Sequence, residues 1–384
     1  MDNFVFHNPV RLVFGRGTIG RLPDLLPRQG VIMMTWGGGS IKSNGVFDQV
    51  VRALKGRRVI QFPGIEPNPR YSTLMKAVKL ARKRRVKFLL AVGGGSVLDG
   101  TKFIAAACEY RGREPWDILE KSATVKKATP LGAVLTLPAT GSEMNGNAVI
   151  SRAETRQKLG FGSRLVYPRF AVLDPQTTFS LPPRQTTNGV VDTMVHVFEQ
   201  YLTFDSNAPL NEGMSEAVLR TTIENGGRVL ENPGDYDIRA NLMWAATMAL
   251  NGLIGAGVPQ DWTSHAIGHE ITAYHGLDHG QTLAVISPSV LRYKKDKKMA
   301  MLARYARRVL GVREDDDGRA ADLGVDMTEE FWNRIGVKTK LSGYGVGDEN
   351  FAVIADRLCG SGNKLGERGD IGREDVMNIL RMSL

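Results

Sequence analysis

Short apolar runs alternate with segments of helical period through the first half of the chain. The apolar runs predict buried β-strands at 31–35, 58–62, 88–92, 133–137 and 170–174. The clearest helix between them spans 69–84, because Asn68 can cap it and Pro69 suits its first position. Alternating strands and helices of this kind predict a parallel, doubly wound sheet.

The pattern changes after about residue 180. Turn-forming residues fill the stretch DPQTTFSLPPRQ, and long segments of helical period follow, among them 187–203 and 238–254. A change of pattern beside a proline-rich stretch indicates a domain boundary. We therefore predict an α/β, Rossmann-like domain with a doubly wound parallel sheet over residues 1–180, and an all-α domain over residues 181–384.

Composition and charge narrow the classes of function. The net charge is +10, but basic runs such as 81–87 extend one face of a helix and no RNA-binding or zinc-finger motif accompanies them. We therefore expect no nucleic-acid partner. No apolar run is long enough to predict a membrane span, so we expect no membrane association either. The two cysteines, Cys108 and Cys359, cannot form a disulfide framework and fit a reducing cytoplasm.

Five of the six histidines lie in two short segments of the second half of the chain. Asp192 and His196 are four residues apart, so they project from the same face of a helix. Four more lie close together: His265, His269, His275 and His279. One carboxylate with several imidazoles suits Zn²⁺, Fe²⁺ or a similar divalent ion. Surface or hydrogen-bonded core histidines are the alternative, but the grouping with Asp192 favours a metal site.

Two G-G-G-S loops each follow a predicted strand. The glycines of 93–96 permit a backbone to approach a phosphate at a helix N-terminus, and Ser96 with Asp99 forms an S-x-x-D capping pair. A tight strand-to-helix turn is the alternative for this loop. The loop at 37–40 contains no acidic residue, which leaves room for the 2′-phosphate of a dinucleotide.

The chain resembles the iron-containing (group III) alcohol dehydrogenase family, and ordered motifs along nearly its whole length carry the resemblance. The motifs are F-G-x-G at 14–17, P-N-P at 67–69, G-G-G-S-x-x-D at 93–99, T-G-S-E at 140–143, L-D-P at 173–175, G-V-V-D-x-x-x-H at 189–196 and the late histidine cluster. Within the family it is most similar to the bacterial broad-specificity NADPH-dependent aldehyde reductase and butanol dehydrogenase branch. The resemblance is weakest after about residue 295, and the tract 152–168 matches this branch loosely.

The resemblance implies a set of site residues. The metal ligands would be Asp192, His196, His265 and His279, and His269 would be catalytic, beside the nicotinamide and substrate. The pyrophosphate and nearby ribose of the cofactor would contact Gly94, Gly95, Ser96 and Asp99. The cofactor cleft would be lined by Thr136, Leu137, Thr140 and Ser142, and a ribose hydroxyl would contact Lys158. The 2′-phosphate would contact Gly37, Gly38 and Ser40. NAD-using relatives carry an acid where Gly37 stands, so the resemblance favours NADP(H). It assigns no role to His275.

These features predict a metal-dependent oxidoreductase that reversibly reduces short- to medium-chain aldehydes to primary alcohols with NADPH. It would use one Zn²⁺ or Fe²⁺ ion as a Lewis acid, and we expect a cytoplasmic homodimer that acts on small aldehydes and alcohols. The alternative is a lyase or phosphate-substrate enzyme on the related scaffold of dehydroquinate synthase. That chemistry needs lysines and arginines beside the metal, whereas 188–202 and 251–280 contain neither. A non-enzymatic basic binding protein would leave the histidine cluster and both glycine loops unexplained.

Overall fold

The computed structural model describes residues 1–384, which form two compact units. The sheet unit comprises His7–Leu181 and Pro233–Thr247. The helical unit comprises Met1–Phe6, Pro182–Asn232 and Met248–Leu384. The predicted division into domains at residues 180 and 181 stays a prediction. The compact units themselves group the segment 233–247 with the sheet and the first six residues with the helices.

The sheet unit is built on a parallel sheet of six strands. In chain order these strands are β1 (Arg11–Phe14), β2 (Val31–Trp36), β3 (Arg58–Phe62), β4 (Val86–Gly94), β5 (Leu131–Leu137) and β8 (Phe170–Leu173). Their order in the sheet is β1-β8-β5-β4-β2-β3. A separate antiparallel hairpin consists of β6 (Asn147–Arg152) and β7 (Gln157–Gly162). All the predicted strands are confirmed, whereas β1 and the hairpin were not predicted.

Helices cover both faces of this sheet. They are α1 (Leu22–Leu25), α2 (Ser40–Ser43), α3 (Val46–Ala53), α4 (Tyr71–Arg84), α5 (Gly95–Glu109), α6 (Asp117–Glu120) and most of α9 (Tyr236–Ala249). Along β4, Leu89 and Ala91 join a core with residues of α4 and α5, while Leu90 and Val92 join a core with residues of α2 and α3. Successive side chains of a strand point to opposite faces, so both faces of β4 are buried. The predicted doubly wound sheet is confirmed.

The helix predicted at 69–84 begins later than expected. It starts at Tyr71, and Arg70 precedes it with extended backbone and no side-chain cap. Asn68 has a left-handed φ of 54°, so it does not cap the helix. The carbonyl of Pro69 instead accepts a hydrogen bond of 2.9 Å from the backbone N–H of Ser151 in the hairpin. This long-range pairing overrides the local preference of Asn68 and Pro69 for a helix start.

The helical unit is built around α7 (Pro183–Tyr201), which is buried at every residue from Thr186 to Tyr201. A helix buried on all sides lies in the interior of its unit. The remaining helices are α8 (Pro209–Glu231), α10 (Thr263–His275), α11 (His279–Tyr293), α12 (Lys295–Arg308), α13 (Asp317–Arg334), α14 (Phe351–Cys359) and α15 (Arg373–Met382). This architecture confirms the predicted helical C-terminal half.

None of the helices of the protein combines the length with the apolar character that a membrane crossing requires.

Candidate active site

Three helices of the helical unit bring metal-binding side chain types together. Asp192 and His196 lie one turn apart on α7, His265 lies in the first turn of α10, and His279 begins α11. One ligand atom from each of Asp192, His265 and His279 lies within 4.8 Å of the others. Asp192 Oδ1 is 3.7 Å from His279 Nε2 and 3.9 Å from His265 Nε2. These three side chains form the core of a metal site.

His196 joins this group through His265. Its Nε2 is 3.1 Å from His265 Nε2, and its Nδ1 is 3.2 Å from Asp192 Oδ1. Two nitrogens bound to one tetrahedral ion at about 2.0 Å lie about 3.3 Å apart, so the facing Nε2 atoms match that arrangement. Burial lowers the pKa of His196 to about 4, which leaves the ring neutral, as metal binding requires. The donor set therefore fits a divalent metal ion.

Glu199, which the sequence analysis did not single out, contacts His265 on its far side. Its Oε1 accepts a 3.0 Å hydrogen bond from the backbone N–H of His265, and its Oε2 contacts the Nδ1 of the same residue. Burial, followed by the charge of Asp261, raises the pKa of Glu199 well above its usual value. A divalent cation bound to the same imidazole would instead lower the pKa of Glu199. The spacing D-x-x-x-H-x-x-E places this residue on the same helix face as Asp192 and His196, but the sequence does not show that this face is internal.

The start of α11 fixes the position of His279. Asp278 caps this helix, and its backbone N–H donates to the side chain of Gln281 at 3.1 Å. Asn188 Nδ2 in turn donates to Asp278 Oδ2 at 2.9 Å. A Cβ on Gly280 would lie 2.6 Å from the backbone oxygen of Asn188, so only glycine permits this close approach of α11 to α7.

His269 lies one turn beyond His265 on α10, close to the metal-binding side chains. Its ring centroid is 5.2 Å from that of His279 and 6.0 Å from that of His265. His275 ends the same helix, and its Nε2 is 3.5 Å from Asn350 Nδ2. The structure thus brings His269 to the metal-binding group and gives His275 a different neighbour. The catalytic role of His269 stays a prediction.

In the sheet unit, the two glycine-rich loops follow neighbouring strands. The loop 37–40 follows β2, and the loop 93–96 joins β4 to α5. In the sheet, β3 lies beyond β2 on one side, and β5 lies beyond β4 on the other. Sheet growth therefore changes direction between β2 and β4. Open α/β sheets bind ligands outside the carboxyl ends of the strands at such a switch point.

The loop 93–96 packs tightly against the residues that end and follow β5. A Cβ on Gly94 would lie 2.9 Å from Leu137 Cβ, and one on Gly95 would lie 2.6 Å from Thr140 Oγ1. These approaches leave no room for side chains. Thr136 immediately precedes Leu137 on β5 and is largely buried. Several of the predicted cofactor residues are therefore direct neighbours.

Asp99 connects α5 with further predicted cofactor residues. Its carboxylate accepts hydrogen bonds from Ser142 Oγ at 2.6 Å and from the backbone N–H of Val149 at 2.9 Å. Burial raises the pKa of Asp99, while the charges of Lys102 and Lys158 act to lower it. Lys102, which the sequence analysis missed, is fully buried and donates to Ser142 Oγ at 2.8 Å. Burial lowers its pKa to about 8, and the spacing D-x-x-K on α5 was the available signal.

The capping pair predicted from Ser96 and Asp99 is wrong. The helix begins at Gly95 with Gly94 as its N-cap, so Ser96 already lies inside the first turn. Its hydroxyl accepts a 3.3 Å hydrogen bond from the backbone N–H of Asn68. Both side chains therefore bond to other segments of the sheet unit rather than to the start of their own helix.

Gly37, Gly38 and Ser40 belong to a loop at the end of β2 whose surroundings are open at Gly38 but not at Gly37. A Cβ on Gly38 would meet no atom within 4 Å, and one on Gly37 would lie 3.2 Å from the backbone oxygen of Ile65. Gly39 has a left-handed φ of 112°, and Ser40 begins α2. The loop presents backbone and one hydroxyl, and no carboxylate.

Comparison with known proteins gives matches along almost the whole chain. The model of the iron-containing alcohol dehydrogenases matches residues 9–175. The model of the C-terminal region of the Fe-containing alcohol dehydrogenase family matches residues 186–384. The N-terminal and C-terminal halves of the protein thus match the corresponding regions of a single protein family.

Individual relatives are similar over their full length. The NADPH-dependent aldehyde reductase YqhD of Escherichia coli (strain K12) is 52% identical over 374 residues, which cover 97% of each chain. The probable NADH-dependent butanol dehydrogenase 1 of Bacillus subtilis (strain 168) is 42% identical over 389 residues, which cover 100% of each chain. The crystal structure of Escherichia coli K-12 YqhD matches with a TM-score of 0.98 at 51% identity, covering 100% of this chain and 99% of that one.

Proposed function

Because the chain belongs to the iron-containing alcohol dehydrogenase family, we propose that it reduces short- to medium-chain aldehydes to primary alcohols with NADPH. The observation that carries the proposal is the largely buried group of donor atoms on Asp192, His196, His265 and His279. One carboxylate and three neutral imidazoles suit Zn²⁺ or Fe²⁺ and leave the ion with a net positive charge. This charge is what activation of a carbonyl oxygen requires.

The reaction consumes an aldehyde, NADPH and a proton and yields a primary alcohol and NADP⁺. When bound, the divalent ion supplies Lewis-acid polarisation of the carbonyl oxygen and NADPH supplies the hydride. Asp192, His196, His265 and His279 would hold the ion. His269 gives a proton from a ring nitrogen to the product oxygen, a role that its place beside His279 supports.

In this proposal the sheet unit binds the cofactor at its switch point. Gly94 and Gly95 bring backbone N–H groups to the pyrophosphate at the start of α5. The loop of Gly37, Gly38 and Ser40 receives the 2′-phosphate, with open space beside Gly38 and no carboxylate that would repel this group. The printed names of the relatives include both NADPH-dependent and NADH-dependent enzymes, so the preference has to be tested on this chain.

The lyase or phosphate-substrate alternative lacks its required cations. The segments 188–202 and 251–280, which carry the proposed ligands, contain no lysine or arginine. Arg184 approaches the start of α11, where it forms an ion pair of 3.2 Å with Asp278. A cation engaged with a carboxylate is a poor receptor for a phosphate, whereas the remaining apolar and small residues suit an uncharged aldehyde.

We also propose a homodimer that uses the edge of the sheet. β1 is one of the two edge strands, and such strands offer unpaired backbone groups to a partner. Phe14 of this strand and Trp244 of α9 are 38% and 44% exposed and pack edge to face at 6.0 Å. Sedimentation of the purified protein as a monomer would contradict this proposal.

We also propose a cytoplasmic location, which the two free thiols of Cys108 and Cys359 support.

A coupled assay tests the proposed reaction. Oxidation of NADPH and NADH is followed with butyraldehyde before chelation, after chelation and after repletion with Zn²⁺ or Fe²⁺. We expect aldehyde-dependent NADPH oxidation that chelation abolishes and a divalent ion restores. Full activity of the metal-free protein, or no oxidation with a series of short- and medium-chain aldehydes, would rule the proposal out.

A further inference from the structure

We infer that Glu199 is a positioning residue that orients His265 toward the metal, and that a buried charge cluster anchored by Lys298 holds Glu199 in place. This inference rests on the metal site of the proposed function. It assigns a task to part of the chain beyond residue 295.

The carboxylate of Glu199 contacts both the backbone N–H and the ring Nδ1 of a single residue. Oε1 accepts from the backbone N–H of His265 at 3.0 Å, and Oε2 contacts the Nδ1 of its ring. Both contacts together fix the ring orientation relative to the start of α10. With the proton on Nδ1, the lone pair of Nε2 points toward His196 Nε2, 3.1 Å away, and Asp192 Oδ1, 3.9 Å away. A carboxylate behind a metal-binding histidine commonly sets its tautomer and orientation in this way.

Asp261 links Glu199 to the charge cluster. Its backbone N–H donates to the backbone oxygen of Glu199 at 2.7 Å. Its carboxylate accepts from the backbone N–H of Thr263 at 3.0 Å and pairs with Lys298 Nζ at 2.9 Å. Although burial acts to raise the pKa of Asp261, Lys298 and Thr263 lower it. The end of α7 and the start of α10 are thereby tied to one charged group on α12.

Lys298 joins three segments of the helical unit. Its side chain is 1% exposed, and its Nζ donates to the backbone oxygen of Leu202 at 2.9 Å. It also pairs with Glu367, which precedes α15, at 3.1 Å. A buried ammonium between two carboxylates is sensitive to the loss of either partner, because one charge then remains uncompensated. The C-terminal region therefore completes the support behind His265.

Replacement of Glu199 by glutamine tests the inference with little change of shape. An amide offers one acceptor oxygen, and its NH₂ group must then face one of the two donors of His265. We expect the Zn²⁺ affinity of Glu199→Gln, measured by chelator competition, to fall about ten- to a hundredfold. We also expect an altered visible absorption spectrum of the Co²⁺-substituted protein. Glu199→Asp keeps the charge but shortens the reach, so it should give an intermediate loss.

A matched control is Glu216→Gln on α8. Glu216 is 5% exposed, as is Glu199, and it bonds to Tyr201 and Arg304 rather than to a proposed ligand. Its Zn²⁺ affinity and Co²⁺ spectrum should match those of the wild type. An equal loss of affinity in Glu216→Gln would show general destabilisation and overturn the inference.

The remaining outcomes separate this inference from the proposed function. Wild-type Zn²⁺ affinity and an unchanged Co²⁺ spectrum in Glu199→Gln overturn the inference. If Glu199→Gln does not fold, wild-type affinity in Glu199→Asp overturns it equally. Asp192→Ala is titrated with Zn²⁺ in parallel. If Asp192→Ala loses Zn²⁺ binding while Glu199→Gln binds Zn²⁺ with wild-type affinity, only the positioning role is rejected. Normal binding by Asp192→Ala would reject the metal site itself.

Discussion

The metal centre of the helical unit and the glycine-rich loops of the sheet unit are built in opposite ways. At the metal centre, the donor atoms of Asp192, His265 and His279, and of His196 as the proposed fourth ligand, all belong to side chains. At the loop 93–96, Gly94 and Gly95 approach their neighbours so closely that side chains would collide. The first site is therefore damaged when a side chain is removed, and the second when one is added. Substitutions of these two kinds distinguish the sites experimentally.

Removal of a ligand should have the largest effect. In His265→Ala we expect bound metal and turnover to fall together, with turnover reduced on the order of a thousandfold because Lewis-acid activation is worth several kcal/mol. Metal analysis and aldehyde reduction rates measure the two losses. NADPH affinity, followed by fluorescence titration, should stay near the wild-type value. A variant with full metal content and wild-type rates would show that His265 is not a ligand.

His269→Ala should affect the reaction but not the metal. We expect the ion to be retained and turnover to drop on the order of ten- to a thousandfold, as for a missing proton donor. Metal content and kcat are measured on the same preparation. His7→Ala is the control, since His7 is exposed and belongs to the sheet unit. Metal loss as large as in His265→Ala would instead place His269 among the ligands.

Addition of a charge to the loop 37–40 should change cofactor choice. In Gly37→Asp a carboxylate would repel the 2′-phosphate of NADPH and accept hydrogen bonds from the ribose of NADH. A difference of about 3 kcal/mol corresponds to a change of roughly a hundredfold in the ratio of kcat/KM values.

The control for this change is Gly37→Ala, because any Cβ added at this position would lie 3.2 Å from the backbone oxygen of Ile65. The alanine variant measures the steric contribution alone. A wild-type enzyme that prefers NADH, or an aspartate variant with an unchanged ratio, would show that this loop does not recognise the 2′-phosphate.

Addition of a methyl group to the loop 93–96 should have the smallest effect. In Gly95→Ala the new Cβ would meet Thr140 Oγ1 at 2.6 Å, so the loop or the threonine must move. We expect KM for NADPH to rise about tenfold, which corresponds to roughly 1.4 kcal/mol, while metal content stays unchanged. Gly227→Ala on α8 is the control, because its Cβ would meet no atom within 4 Å. An unaltered KM would show that this contact is not part of the cofactor site.

The central strands could be predicted because a parallel sheet buries both faces of each strand. The residues of β4 therefore form a continuous apolar run that is easily recognised. β1 escaped prediction because it has only four residues and its ends are exposed at the sheet edge. The hairpin of β6 and β7 lies largely in the tract that matches the family loosely, and neither NAVISR nor QKLGFG forms the continuous apolar run that marks the central strands.

Side chains that act through tertiary contacts were harder to predict than the proposed ligands. The spacing of Asp192 and His196 predicts a shared helix face from local geometry alone. Glu199 could not be distinguished from a surface glutamate without the knowledge that α7 is internal. Asn68 shows the opposite error, because its local preference for capping is overridden by the pairing of the next residue with Ser151.

The burial of α7 from Thr186 to Tyr201 has a consequence for the lifetime of the protein. Backbone amides in such a helix exchange with solvent only when a large part of the unit opens, so its proposed ligands lie in a slowly opening segment. An ion held there also stabilises the native state by mass action. Metal starvation should therefore expose the helical unit to proteolysis as well as stop the chemistry. The supply of the ion then determines how much of the enzyme persists, not only how much of it is active.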